Sequence, residues 1–233
     1  MKKENALRSP QDTQDKWFAP DSVLAAALVA IFVIAFAVVA TVNFRPLYYH
    51  DMAALDIPAR SGMSAEDARL NYDVLIDYNM PFAAGELRFP TLSMSDAGRI
   101  HFAEVKRIFN GFYLVLAVSL AGLLLMAFRL FKKRRVKFLK LGGIFALAIP
   151  AALGFLLAAL GWEASFVLLH RILFDNDYWI FDSVLDPVIL ILPDAFFSHC
   201  LYMILELIVF FAATSFFAGV LFERRRAKTE TEN

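Results

Sequence analysis

Residues 23–42 read VLAAALVAIFVIAFAVVATV, a run of apolar side chains broken only by one Thr and free of Lys, Arg, Asp and Glu. A helix over this run is apolar on every face rather than along one stripe, which suits lipid better than the surface of a soluble domain. About 20 such residues cross a ~30 Å hydrocarbon core, and a helix satisfies its own backbone there. Three more runs qualify: Phe109–Phe131, Leu141–Gly161 and Leu201–Phe222. With 59% hydrophobic residues and 24 Phe, the chain is an integral membrane protein. The first run exceeds the roughly 7–15 apolar residues of a secretory signal and reads as a retained anchor.

The formal charge of zero hides an asymmetry. Fourteen Lys/Arg fall within 40 residues: the first 20, the link Lys132–Lys140 and the tail after Phe222. The connections 43–108 and 162–200 hold only eight in 105 residues. By the positive-inside rule both termini are cytoplasmic and both long connections are outside. Anionic-lipid contacts are the other plain use of these basic clusters. The layout is then residues 1–22 as a cytoplasmic segment, 23–222 as a membrane domain carrying an outer cap, and 223–233 as a cytoplasmic tail. The acidic stretch Thr229–Asn233 reads as disordered. One cysteine, Cys200, excludes an internal disulfide, and no spacing suits a zinc site, a phosphate loop or a repeat. The fold class is an all-α membrane protein with four transmembrane helices, N-in/C-in. Its extracellular cap is mainly helical, with at most a short β element.

In the first outer connection, AEDARLNYDVLIDYN (65–79) has helical apolar spacing and is closed by Pro81, while GELRFPTL (85–92) alternates enough for a short strand. Ser93, three residues before Asp96, resembles a capping-box start, after which the helix runs unbroken into the second span. His101 lies on that helix, about 12 Å above the apolar run. If the third helix continues straight past Gly161, His170 is about 13 Å above its span, at a similar height. His199 should sit lower, and His50, after Pro46, should leave the helix. Eight of the 39 residues in the second connection are aromatic. An interfacial aromatic belt accounts for much of this; acyl-chain binding is the sharper alternative. VLDPVILILP (184–193) is too short to span and reads as an interfacial or re-entrant piece that floors a pocket. Glu163, two turns before His170, and Glu206, one turn inside the fourth span, are costly acids that are either functional or snorkelled to water. Glu104, at i+3 from His101, is placed to orient its imidazole or to make an ordinary surface pair.

RIHFAEVKRIF (99–109) and HRILFDNDYWIFDSVLDPVILILPDAFF (170–197) together resemble the bacterial lipoprotein intramolecular transacylases (Lit), four-helix membrane proteins with an extracellular cap. The resemblance implies that His101 and His170 are catalytic. Around them the residues themselves offer Arg171, Phe174, Tyr178, Trp179 and Phe197 as expected substrate contacts, with Glu104, Glu163 and Asp186 as candidates to support the site. The implied reaction passes the sn-2 acyl chain of a diacylglyceryl-cysteine lipoprotein to its own N-terminal amine, giving the lyso form. Neither metal nor other cofactor is implied. The partners it implies are the lipoprotein substrate and membrane lipids, and neither nucleic acid nor a stable protein partner is implied.

Other classes stay open on the residues themselves. A lone interfacial histidine is more often structural than catalytic. A membrane lipid hydrolase would release free fatty acid, whereas a transacylase conserves acyl chains. A sensor or assembly protein would tolerate loss of both histidines. A transporter fits poorly, because the spans hold few central polar groups and no paired broken helices.

Overall fold

The computed structural model describes residues 19–132 and 136–231, which form nine helices. Four are long and apolar enough to span: α1 (Pro20–Asn43), α5 (Asp96–Lys132), α6 (Lys137–Leu160) and α9 (Asp194–Thr231). Each contains one of the runs singled out above, except that α6 stops one residue short of Gly161. Segment 1–18 and part of the basic link, residues 133–135, lie outside the described residues, as do 232 and 233 of the tail. Thr229 to Thr231, expected to be disordered, instead continue α9, where Thr229 Oγ1 donates to the Arg225 carbonyl.

The centre of the membrane domain is α1, which packs against α5, α6 and α9, while α6 also packs against α9. Its inward face is built from small residues, Ala25, Ala26, Ala30 and Ala37, interspersed with Val29 and Val33. With lipid outside as apolar as the helices themselves, close backbone approach rather than hydrophobic sorting drives this packing. Gly142 of α6 shows how close: a Cβ there would stand 3.1 Å from the Ala26 carbonyl oxygen and deep inside Val29.

The cap comprises α2 (Arg45–Ala54), α3 (Ile57–Ser61), α4 (Ala65–Tyr78) and α8 (Val188–Ile191). The first span's helix ends at Asn43, so His50 has left it as expected; after the Phe44 break, Pro46 stands in the first turn of the new helix α2 that carries His50, whose side chain is 77% exposed. Ser64 caps α4 by accepting from Asp67 N at 3.0 Å. The cap's core stacks Tyr48 on Tyr72 with ring centroids 3.7 Å apart, and Phe196 meets Tyr48 edge-on at 5.2 Å.

Four local expectations need correcting. GELRFPTL forms no strand: Pro90 cannot donate, and the Asn71 side chain serves where a neighbouring strand would, with Nδ2 donating to Thr91 Oγ1 and Oδ1 accepting from Thr91 N. The cap of α5 is Ser95, not Ser93, since Ser95 Oγ accepts from Gly98 N at 3.0 Å. The 184–193 segment lines a cleft away from the histidines rather than beside them: Ile189, Leu190 and Pro193 border it with Leu55, Ile57 and Arg60, while Val188, Ile191 and Leu192 are buried in the cap's core with Tyr48. The third helix does not run straight: it ends at Leu160, Gly161 takes φ 77° and ψ 173°, and a separate helix α7 (Trp162–Leu173) begins. Only glycine enters that backbone region freely.

Candidate active site

The Gly161 break turns α7 so that its last turn meets the cap end of α5. His101 lies on the part of α5 beyond the roughly 20 residues that a bilayer core requires, and His170 lies on the separate helix α7. The two imidazoles stand with ring centroids 6.3 Å apart. His101 is buried, 6% exposed, and His170 is half-buried. Aromatic rings close around them. Phe174 and Phe181 approach His101 at 4.8 and 5.4 Å, while Phe166 and Trp179 approach His170 at 4.1 and 4.8 Å. Phe197 reaches the group through Phe166, at 5.9 Å.

The two rings have different partners. His170 Nδ1 lies 2.8 Å from the Phe166 carbonyl, one turn back on α7. A carbonyl can only accept, so Nδ1 carries the proton and Nε2 is left with its lone pair. His101 Nδ1 is buried and has no hydrogen-bond partner among the described residues. Native proteins rarely leave such an atom unserved, so it is a natural place for a substrate group to bind. Burial pushes His101 down to about 4, with the nearby His170 adding to the effect. Burial also lowers His170, against the Phe166 hydrogen bond, which favours the charged form. Both rings are therefore neutral at pH 7, as a general base must be.

The remaining residues named from sequence divide. Arg171 and Tyr178 are exposed beside the group. Glu163 is exposed on the first turn of α7, about 10 Å along the helix from His170, whose orientation comes from Phe166 instead. Glu104 does not orient His101: its two carboxylate oxygens accept from Asn176 Nδ2 at 3.1 and 3.2 Å. Asp186 is buried and accepts from Ser95 N and Ser95 Oγ, both at 2.7 Å, so it ties the loop to the start of α5. Glu206 is exposed on α9. His199 belongs to another pair, its Nδ1 2.8 Å from Oδ2 of the fully buried Asp51. Asn176 and Asp51 were not anticipated. An Asn in a loop and an Asp in a short helix carry no sequence signal until the fold supplies their partners. Among the described residues no three His, Cys, Asp or Glu side chains gather as a metal ligand set. Two clefts of about 160 and 290 Å³ open on the cap, and neither is lined by the histidines.

A four-span membrane protein with a helical cap and a walled histidine pair where the two meet has the architecture of a membrane enzyme. The family model of the lipoprotein intramolecular transacylase Lit matches residues 23–197, and the chain belongs to that family. It is similar to the membrane integral Lit of Bacillus cereus, with TM-score 0.86 and 36% identity over 89% of this chain and 96% of that one. Two structures of the same protein with a single histidine replaced, by arginine or by alanine, match with TM-score 0.82 at 35% and 36% identity. They cover 90% and 89% of this chain, and 93% and 94% of theirs. No curated protein sequence matches. The chain is a membrane enzyme of lipoprotein modification, an intramolecular transacylase.

Proposed function

We propose that His101 and His170 carry the acyl transfer, at the outer face of the cell membrane, on a lipoprotein whose N-terminal cysteine bears a diacylglyceryl thioether and a free α-amine. The observation that carries this reading is the pairing of a buried, unpartnered Nδ1 on His101 with a ring 6.3 Å away whose tautomer is set. The α-amine, with a reference pKa near 8, is mostly protonated and must first give one proton to solvent to become a nucleophile. As the neutral nitrogen adds to the sn-2 ester carbonyl, His170 Nε2 takes a second proton from it. His101 donates to the oxyanion that forms. The intermediate then collapses: the C–O bond to the glyceryl oxygen breaks, that oxygen takes the proton held by His170, and an N-acyl, S-monoacylglyceryl product leaves. No acyl group is lost and none is carried on the enzyme.

Because nucleophile and ester belong to one molecule, the protein's main task is to fold the substrate back on itself, which the aromatic wall does by excluding water and gripping acyl chains. The basic clusters support a topology with both termini inside and the cap outside, where mature lipoprotein N-termini are found. The test is mass spectrometry of a lipoprotein's N-terminal lipopeptide from cells with and without the gene. The proposed reaction leaves the mass unchanged and moves one acyl chain to the amine in the fragmentation pattern. Loss of one acyl mass would instead mark a lipid hydrolase.

A further inference from the structure

The rings around the histidines come mostly from a segment without regular structure. Phe174, Trp179 and Phe181 all follow α7 in a stretch of turns that runs to α8. An irregular loop holds rings in fixed places only if something anchors it, and the anchors are unevenly shared. Its far end is tied by Asp186 to Ser95 at the start of α5. Its near end depends on one residue, Asn176. The Asn176 amide donates to both oxygens of Glu104, its Oδ1 accepts from Tyr178 N at 3.0 Å, and its main-chain carbonyl accepts from Trp179 Nε1 at 3.0 Å. Glu104 and Ser95 are nine residues apart on one helix, roughly 14 Å along its axis, and His101 lies between them. The loop therefore crosses His101 pinned on either side.

We propose that Asn176, held by Glu104, is a positioning residue for acyl transfer: it fixes Trp179 against His170 and sets the membrane-side edge of the wall where ester and amine must meet. This rests on the reading of the histidine pair as the transfer site. Asn is required for a specific reason. Its side chain must donate at one end, to a carboxylate, and accept at the other, from a backbone N–H, which neither Asp nor a hydroxyl does in that geometry. Among the described residues Glu104 has one further, distant partner, Arg107 at 3.7 Å and largely exposed, which contributes little.

The test reverses the polarity of the pair. N176D keeps the acceptor for Tyr178 N and sets two carboxylates against each other; E104Q keeps an acceptor for the Asn amide; N176D/E104Q supplies a Gln amide that donates to the new Asp. Purified full-length protein in vesicles is given a synthetic diacylglyceryl-cysteine peptide at varied mole fraction, and initial rates separate kcat from KM. N176D should lose at least about tenfold in kcat with little change in KM, E104Q about threefold, and the double variant should recover to within about threefold of wild type. A fold defect would lower the folded fraction of N176D, which size exclusion reads separately, without giving rescue of turnover per folded molecule. H101A runs alongside. If H101A is inactive while N176D turns over like wild type, or while the double variant is no better than N176D, the positioning role is wrong. If H101A is itself active, the histidine reading has failed instead.

Discussion

Gly98 offers a sharp test of how the loop is held. It lies in the first turn of α5, and a Cβ built there runs into Asp186 Oδ1 while standing 3.0 Å from Asp186 Cγ and 3.3 Å from Met94 Cγ. Carbon atoms in contact sit ~3.5–4.0 Å apart, so in Gly98→Ala the carboxylate must retreat by roughly 1 Å. It would retreat from Ser95 N and Ser95 Oγ, each at 2.7 Å, in a buried setting. Losing most of two charge-assisted hydrogen bonds costs about 3 kcal/mol, and replacing a helical glycine returns ~1 kcal/mol, a net loss of about 2 kcal/mol. For a chain of this size that is a fall of roughly 5 °C in melting temperature. The control is Gly111→Ala on the same helix, where a Cβ meets nothing within 4 Å. There only the propensity gain remains, and the melting temperature should hold or rise. Thermal unfolding in detergent reads both, and acyl transfer should fall with Gly98→Ala because the loop carrying the aromatic wall is displaced. Equal melting temperatures for the two variants would refute the reasoning.

His199→Ala should act through stability, not chemistry. It takes from the buried Asp51 carboxylate its 2.8 Å partner and leaves it the exposed His50 at 3.4 Å, at a cost of about 2 kcal/mol, part of which Asp51→Asn in the same chain restores, while His50→Ala, which removes the longer and largely solvated contact, changes the melting temperature far less. With His101 held down at about 4 from an ordinary 6.5, the unfolded chain binds more protons between those values. Stability should accordingly be full above about pH 6.5 and fall as the pH drops towards 4, and His101→Gln should flatten that slope in melting curves taken across the range. Val184, 81% exposed in the cap loop, gives a topology reading: Val184→Cys should react with a membrane-impermeant maleimide added outside intact cells, whereas protection until the cells are opened would reverse the assigned orientation.

The spans were legible because lipid imposes one simple rule on about 20 residues at a time, and VLAAALVAIFVIAFAVVATV obeys it without exception. The paired histidines were legible as two helix positions of similar height and through their family resemblance. The directions of helices past the membrane were not. A single Gly161 breaks α6 and re-aims His170, and no periodicity distinguishes that from a glycine tolerated inside a continuous helix. Glu104 shows the same limit at the level of side chains. Its i+3 spacing from His101 suggests a local partner, yet a carboxylate takes the best donor in space, which is Asn176, 72 positions away in sequence. GELRFPTL had the alternation of a strand, but a strand needs a neighbour, and here Asn71 of α4 occupies that place.

The measurement that bears most directly on the account follows one synthetic lipopeptide with purified wild type, His101→Gln and His170→Gln at matched levels of folded protein, using tandem mass spectrometry to locate each acyl chain. Gln keeps some hydrogen bonding but shuttles no proton at neutral pH, and loss of a general base or acid costs ~10² to 10⁴ in rate. Wild type should convert the substrate to its N-acyl isomer at unchanged mass. His170→Gln should give essentially none, and His101→Gln should retain a small residue of activity if it serves the oxyanion. Wild-type rates from both variants would contradict the assignment of the reaction to this pair.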